Sequence, residues 1–230
     1  MSRRAFIRWF AAAALVLSAA MPARAQTQVD LQLVLAVDAS GSVNHTRFEL
    51  QKQGYAAAFR HPRVLSAIRS GMTGSIAVTM TQWTGPFQQI QVVPWMLLKD
   101  EASVHAFADA IEQAPRQLFG GGTSISGAID HAVTLMPGGP YRGLKRVIDV
   151  SGDGSNNRGR PVNDARDAAV KEGMIINGLP ILSLEPYLDR YYFDQVIGGP
   201  GSFMIPAESY ETFASAVLRK LILEIASNAR

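Results

Sequence analysis

Dense aliphatic runs alternate along this chain with stretches whose apolar residues recur every three or four positions, and that change of period restricts the fold more than any other feature. Leu31–Val37 is such an aliphatic run; Phe48, Tyr55 and Phe59 then recur at helical spacing. Ser75–Trp83 and Ile90–Leu98 both read as strands. Thr84-Gly85-Pro86 lies in a link too short for a crossover helix, which predicts an antiparallel hairpin. Val104, Phe107, Ala108 and Ile111 fall at i, i+3, i+4 and i+7 behind Asp100, a candidate helix N-cap. A helix over Ile125–Met136 follows, ended by Pro137-Gly138-Gly139-Pro140, then a short buried strand at Val147–Val150 and a helix over Val162–Lys171 stopped by Gly173. Met174–Leu182 reads as a further strand, with Pro180 near its end. Ser202–Ile205 reads as a last short strand, and Phe213, Val217, Leu221 and Ile225 put an apolar stripe on a closing helix. Strands separated by helices predict an α/β fold: three layers, α/β/α, doubly wound around a mainly parallel sheet with one antiparallel edge strand. In such sheets ligands bind at the carboxyl ends of the strands.

Composition narrows the chemistry. The chain has no cysteine, which excludes disulfide scaffolds, thiolate-held zinc, iron–sulfur clusters and cysteine nucleophiles. Its net charge of +3 invites a nucleic-acid reading, but Arg3, Arg4, Arg8 and Arg24 lie within residues 1–25, which hold no acid. That leaves 18 basic residues against 19 acids, with no concentrated basic face for a phosphate backbone. The same segment has the three parts of a cleavable export signal: early arginines, an apolar stretch from Trp9 to Ala20, and Ala23-Arg24-Ala25 as a small-x-small cleavage site. Ser2-Arg3-Arg4-Ala5-Phe6-Ile7-Arg8 resembles a twin-arginine signal, which implies export in the folded state; a general secretory signal is the alternative. Either places residues 26–230, a single domain, in a bacterial periplasm or outside the cell.

Three expected strand ends carry the informative residues. Asp38-Ala39-Ser40-Gly41-Ser42 follows the first strand, Gly120-Gly121-Gly122-Thr123-Ser124 opens a helix, and Ser151-Gly152-Asp153-Gly154 follows a later strand. Two carboxylates, two spaced hydroxyls and a threonine make an all-oxygen constellation, which suits a hard cation. A chain curling out of a strand aims every second side chain at one point, so Asp38, Ser40 and Ser42 can converge. Gly41 eases the curl, and Gly120–Gly122 let a loop approach closely.

Asp38-x-Ser40-x-Ser42, the isolated Thr123 and Asp153-Gly154 together resemble the metal-ion-dependent adhesion site (MIDAS) of von Willebrand factor type A (VWA) domains. Chain order, strand-end placement and the single antiparallel edge are similar too, over Leu31 to Ala226. A bacterial subfamily of exported, single-domain versions (DUF1194-like) is also similar. The resemblance implies that Ser40, Ser42 and Thr123 are direct ligands of a divalent cation, Mg²⁺ first with Mn²⁺ or Ca²⁺ in its place. It implies that Asp38 and Asp153 act through water, and that an Asp or Glu carboxylate of a partner protein completes the shell. One departure is that the family usually has Thr-Asp-Gly where this chain has Gly152 before Asp153, so this loop can sit differently.

Plainer roles stand beside these. Ser42 or Asn44 can cap the first helix, Thr123 or Ser124 the helix from Ile125, and Gly120–Gly122 can be a simple turn. Asp149, an acid inside an aliphatic strand, points to a buried pair with an arginine or to support of the Asp153 loop. Asn156, Asn157, Arg158 and Arg160 form a polar loop that either meets a ligand or is solvated, and His45 reads as a surface residue beginning a helix. Asp149-x-Ser151-x-Asp153-Gly154 opens like an EF-hand loop, but Arg160 stands where its bidentate Glu belongs. No phosphate-binding Gly-rich motif and no Gly-x-Ser-x-Gly elbow occurs. The expectation is therefore a binding module without catalysis. A metal-dependent hydrolase such as a phosphatase, or a periplasmic assembly factor for a membrane or cofactor-containing complex, remains as the alternative.

Overall fold

The structure, a computed structural model, describes residues 26–137 and 139–226; the export signal expected over residues 1–25 lies outside them. Five strands form one sheet: β1 (Thr27–Asp38), β2 (Ile76–Trp83), β3 (Gln89–Leu98), β4 (Tyr141–Gly152) and β5 (Ile175–Pro180), in the order β3-β2-β1-β4-β5. The β1/β2, β1/β4 and β4/β5 pairs are parallel and the β2/β3 hairpin is antiparallel. Fold class and hairpin are those the periodicity predicts.

The helices are α1 (His45–Arg60), α2 (Pro62–Arg69), α3 (Glu101–Gln113), α4 (Ile125–Leu135), α5 (Val162–Lys171), α6 (Leu188–Tyr191) and α7 (Phe213–Ala226); α6 runs on into a π-helical turn over Tyr192–Val196. Strand alternation divides them. Leu31, Leu33, Leu35 and Val37 pack with Tyr55, Phe59, Phe107, Phe213 and Leu221 of α1, α3 and α7. Val34 and Ala36 point the other way, towards Ile125 and Ile129 of α4, Val162 of α5 and Tyr192. β1 is thus covered on both faces, which is why it reads as an unbroken aliphatic run. Asp100 caps α3 and exchanges hydrogen bonds with Ser103, as the sequence predicts, while Asn44 and Ser124 cap α1 and α4.

Three differences have local causes. β4 is twelve residues long because its polar first half, Tyr141–Arg146, pairs with the start of β1; no aliphatic run marks that half. α2 begins at Pro62, whose ring suits a first helical turn, behind His61, which accepts the Arg63 N–H. Ser202–Ile205 is not a strand. The segment touches β5 through isolated bridges such as Gly178 to Met204, because the Asn177 side chain takes the Phe203 N–H, Pro206 has none to give, and Gly199 and Gly201 turn into left-handed backbone.

Candidate metal centre

Alternation also decides which side chains meet at the sheet's carboxyl end. Asp38 continues the Val34, Ala36 face of β1, so its carboxylate enters the α4/α5 side beside Trp83 and Tyr192. On β4 the same alternation turns Ser151 to α1, where its hydroxyl accepts from Tyr55, turns Gly152 towards Trp83 and Tyr192, and returns Asp153 to the α1 side. The two aspartates therefore approach one point from opposite faces.

The five residues singled out in the sequence come together. Asp38 Oδ1 accepts the Ser40 N–H at 2.7 Å, closing a tight turn. The Ser40 and Ser42 hydroxyls are 3.1 Å apart, and Ser42 Oγ donates to Asp153 Oδ1 at 2.5 Å. Thr123 Oγ1 lies within 3.8 Å of the point where a Cβ on Gly154 would sit, which brings the threonine to the Asp153 loop. All but Ser42 are buried. Asp38 Oδ2 is buried and has no hydrogen-bond partner among the described residues. Burial, and then the charge of Asp153, push the Asp38 carboxyl up to about 7.

Surrounding groups tie the loops down by their backbones. Arg116 donates to the carbonyls of Ala39 and Ser40, Gln51 to that of Asp38, and Arg47 to that of Ser42 at 2.7 Å. Asn157, exposed, accepts the Thr123 N–H and half-buried Asn156 the Ser126 N–H, so both asparagines brace the threonine loop. Arg160 pairs with Asp130. His45 is exposed at the start of α1. Two residues that no sequence pattern marks also reach the cluster. Tyr210, on the segment before α7, donates to Asp153 Oδ2 at 2.8 Å, and Arg47 lies 3.7 Å from the same oxygen. Both arrive by long-range packing, and neither sits at a spacing that a local motif would pick out.

Glycine enters where contact demands it. A Cβ on Gly152 would meet Asp38 Oδ2 at 2.9 Å, and Trp83 and the Tyr192 hydroxyl at 3.2 Å, so the threonine usual in the resembling family would displace the Asp38 carboxylate and press on both aromatic side chains. Gly120, Gly121 and Gly122 are consecutive left-handed residues, with φ of +72°, +92° and +83°. Gly120→Ala, where no atom crowds the new methyl, should cost about 1 kcal/mol of backbone strain. Gly122→Ala must also displace Arg158 and press on Asn157, and should cost about 2 kcal/mol and loosen Thr123. Urea unfolding of the two variants checks the order; equal losses would contradict it.

The donor set suits a hard cation. It offers oxygen alone, it includes a buried carboxylate oxygen that lacks a partner, and a second carboxylate stands close enough to repel it. Among the described residues no three of His, Cys, Asp or Glu cluster as a metal site, so a cation held here depends on the alcohols of Ser40, Ser42 and Thr123.

Known structures share this architecture. The von Willebrand factor domain of the type V pili tip protein Mfa5 from Porphyromonas gingivalis superposes with a TM-score of 0.60 at 12% identity, over 88% of this chain and 97% of that one. A von Willebrand factor type A protein from Catenulispora acidiphila gives 0.55 at 16% identity, over 87% of this chain and 43% of the other. Proximal thread matrix protein 1 from the mussel byssus, with a zinc-occupied MIDAS motif, gives 0.57 at 16%, over 86% and 46%. The chain spans less than half the length of the last two. Identities this low establish the fold alone, and it is that of VWA domains. No curated protein matches the chain in sequence. Residues 28–229 match the family model described as "Protein of unknown function (DUF1194)", and the chain belongs to that family.

Proposed function

We propose that this domain is an exported module that binds another protein through a divalent cation held by Asp38, Ser40, Ser42, Thr123 and Asp153. The observation that carries the reading is Asp38: a buried carboxylate with one oxygen unpartnered, facing a second carboxylate, is costly unless positive charge joins it. Tyr210 and Arg47 attend to Asp153, not to Asp38. On this reading Ser40, Ser42 and Thr123 are direct ligands, and the aspartates act through water. Mg²⁺ is the first candidate, with Mn²⁺ or Ca²⁺ as substitutes. Neutral alcohols leave most of a bound ion's charge unquenched, so the ion would offer an open position to an Asp or Glu of the partner.

The protein's own groups prepare that position. Ser42 and Tyr210 fix both oxygens of Asp153, and Arg116, Gln51 and Arg47 hold the first loop by its carbonyls, so little reorganisation is left for binding. Pilus adhesins with this fold, such as SpaC from Lactobacillus rhamnosus GG, support a protein-binding role outside the cytoplasm, and so does the signal expected in residues 1–25. Among the described residues no helix is long and apolar enough to cross a membrane.

A thermal melt of residues 26–230 with Mg²⁺ or with a chelator tests the site. The unsubstituted protein should melt higher with Mg²⁺, by the mass action of a ligand that binds only the folded state, and Asp38→Ala should fold yet lose that shift. A Mg²⁺ shift unchanged in Asp38→Ala, or none in the unsubstituted protein, would refute the site. Capture of a partner from periplasm that is lost on chelation would then separate a binding module from a hydrolase acting on small substrates.

A further inference from the structure

Four arginines are tied to the loops of the candidate centre, and they differ in how far the guanidinium is engaged. Arg116 commits Nε and Nη2 to the carbonyls of Leu118, Ala39 and Ser40, with its face against Phe48 and Phe119, and Arg160 forks through Nε and Nη2 onto both oxygens of Asp130. Arg47 uses Nη1 on Ser42 O and lies near Asp153, with its face over the Tyr210 ring, while its Nε and Nη2 make no hydrogen bond among the described residues. Arg158 is exposed; its stem crosses Gly122, its backbone N–H reaches Thr123 O, and its guanidinium has no partner among the described residues. Arg47, partly engaged by Ser42 and Asp153, therefore keeps Nε and Nη2 unspent on one side, and the Arg158 guanidinium stands on the Gly122/Thr123 side.

Charge gives this placement meaning. Asp38, Asp153, Glu185, whose carboxylate accepts from Ser155, and Glu211, which feels the charge of Arg47, stand against Arg47, Arg116 and Arg158. A bound divalent ion would turn the face net positive, although residues 26–230 as a whole carry slightly more acids than bases. We propose that Arg47 and Arg158 read the partner: the site takes an acidic segment in which one carboxylate bridges the ion and Arg47 and a second carboxylate, nearby in the segment, pairs with Arg158. This rests on the metal-dependent reading above and adds the partner's chemistry to it. Guanidinium forks match carboxylates in shape, and their unspent N–H groups give up water, not an existing protein partner, to a new one.

The test uses residues 26–230 loaded with Mn²⁺ and titrated with acetate or with acetylated, amidated Asp-Gly-Asp and Asp-Gly-Gly-Asp peptides, followed by calorimetry. One of the peptides should bind about tenfold tighter than acetate, the worth of one charge-assisted contact. Arg158→Met should erase that advantage. Arg47→Met, read at saturating Mn²⁺, should weaken acetate and peptide alike by about tenfold, a loss beyond whatever change in Mn²⁺ affinity follows from freeing the Ser42 carbonyl. Equal binding of acetate and both peptides, or arginine variants indistinguishable from the unsubstituted protein, would overturn the assignment. So would Mn²⁺ lost in Arg47→Met with carboxylate binding of the loaded protein intact, which would mark Arg47 as a brace for the Ser42 loop. Failure of the unsubstituted protein to take up Mn²⁺ would instead bring down the metal reading, and this one with it.

Discussion

Lys220→Met should destabilise the domain by about 3–5 kcal/mol, the usual cost of stripping one partner from a fully buried ion network. Lys220 on α7 is buried between Asp149 of β4, at 2.7 Å, and Glu224 one helical turn on, at 2.6 Å. Asn177 of β5 donates to the same Glu224 oxygen, and Lys145, half-buried, adds a further positive charge near it. Methionine fills about the same volume, so packing changes little. What is lost is the ammonium, which leaves Asp149 facing Glu224 inside the core. Urea unfolding at pH 7 reads the effect, and a loss below about 1 kcal/mol would show that the network is dispensable. Replacing Lys220, Asp149 and Glu224 together by apolar residues should recover most of the loss, because the desolvation cost leaves with the charges. The network locks α7 to β4 and β5, and the strand it grips runs on directly into Gly152 and Asp153.

That network shows where sequence reading stops. Asp149 stands out as an acid in an aliphatic strand, and a buried ion pair is a sound inference from it. The partner is a lysine of the last helix, not an arginine, seventy-one positions away with no local signal to find it. Strands, most helices and the antiparallel hairpin were legible because burial on a sheet face or a helix stripe imposes a period on the residues themselves. Asp38, Ser40, Ser42, Thr123 and Asp153 were legible because strand ends and glycine turns bracket them. Tyr210 and Arg47 were not: each acts on Asp153 across the fold, and a tyrosine in a loop or an arginine in a first helical turn has no distinguishing neighbours. Asn44 and Ser124 take the capping roles, so those roles do not occupy Ser42 and Thr123. The short strand expected at Ser202–Ile205 failed because a side-chain amide and a proline, both visible in the chain, intercept backbone pairing only when β5 is alongside.

The Asp38 carboxyl should take stability away from the metal-free domain as pH rises from about 4 to about 7, opposite in sign to ordinary acid unfolding. Asp38 is held up to about 7 by burial and by Asp153, against an ordinary value of 3.8, so the folded state binds a proton that the unfolded chain has released across that interval. A carboxyl raised in this way contributes its full stability below the unfolded value and forfeits it as pH climbs through the folded one. Three units correspond to about 4 kcal/mol. Other carboxylates titrate too: burial raises Asp149 in the same direction as Asp38, while Asp100 and Glu112, bonded to Ser103 and Arg60, lie below their ordinary values. The contribution of Asp38 is therefore read as a difference between the unsubstituted protein and Asp38→Asn, which keeps the shape and removes the titration. In chelator, Asp38→Asn should be the more stable of the two at pH 8, with the gap closing towards pH 4. A divalent ion should cancel the penalty in the unsubstituted protein, since its charge favours the ionised carboxylate, and so should stabilise it more at pH 8 than at pH 5. Parallel stability curves for the two proteins in chelator would show that Asp38 is not the group that titrates.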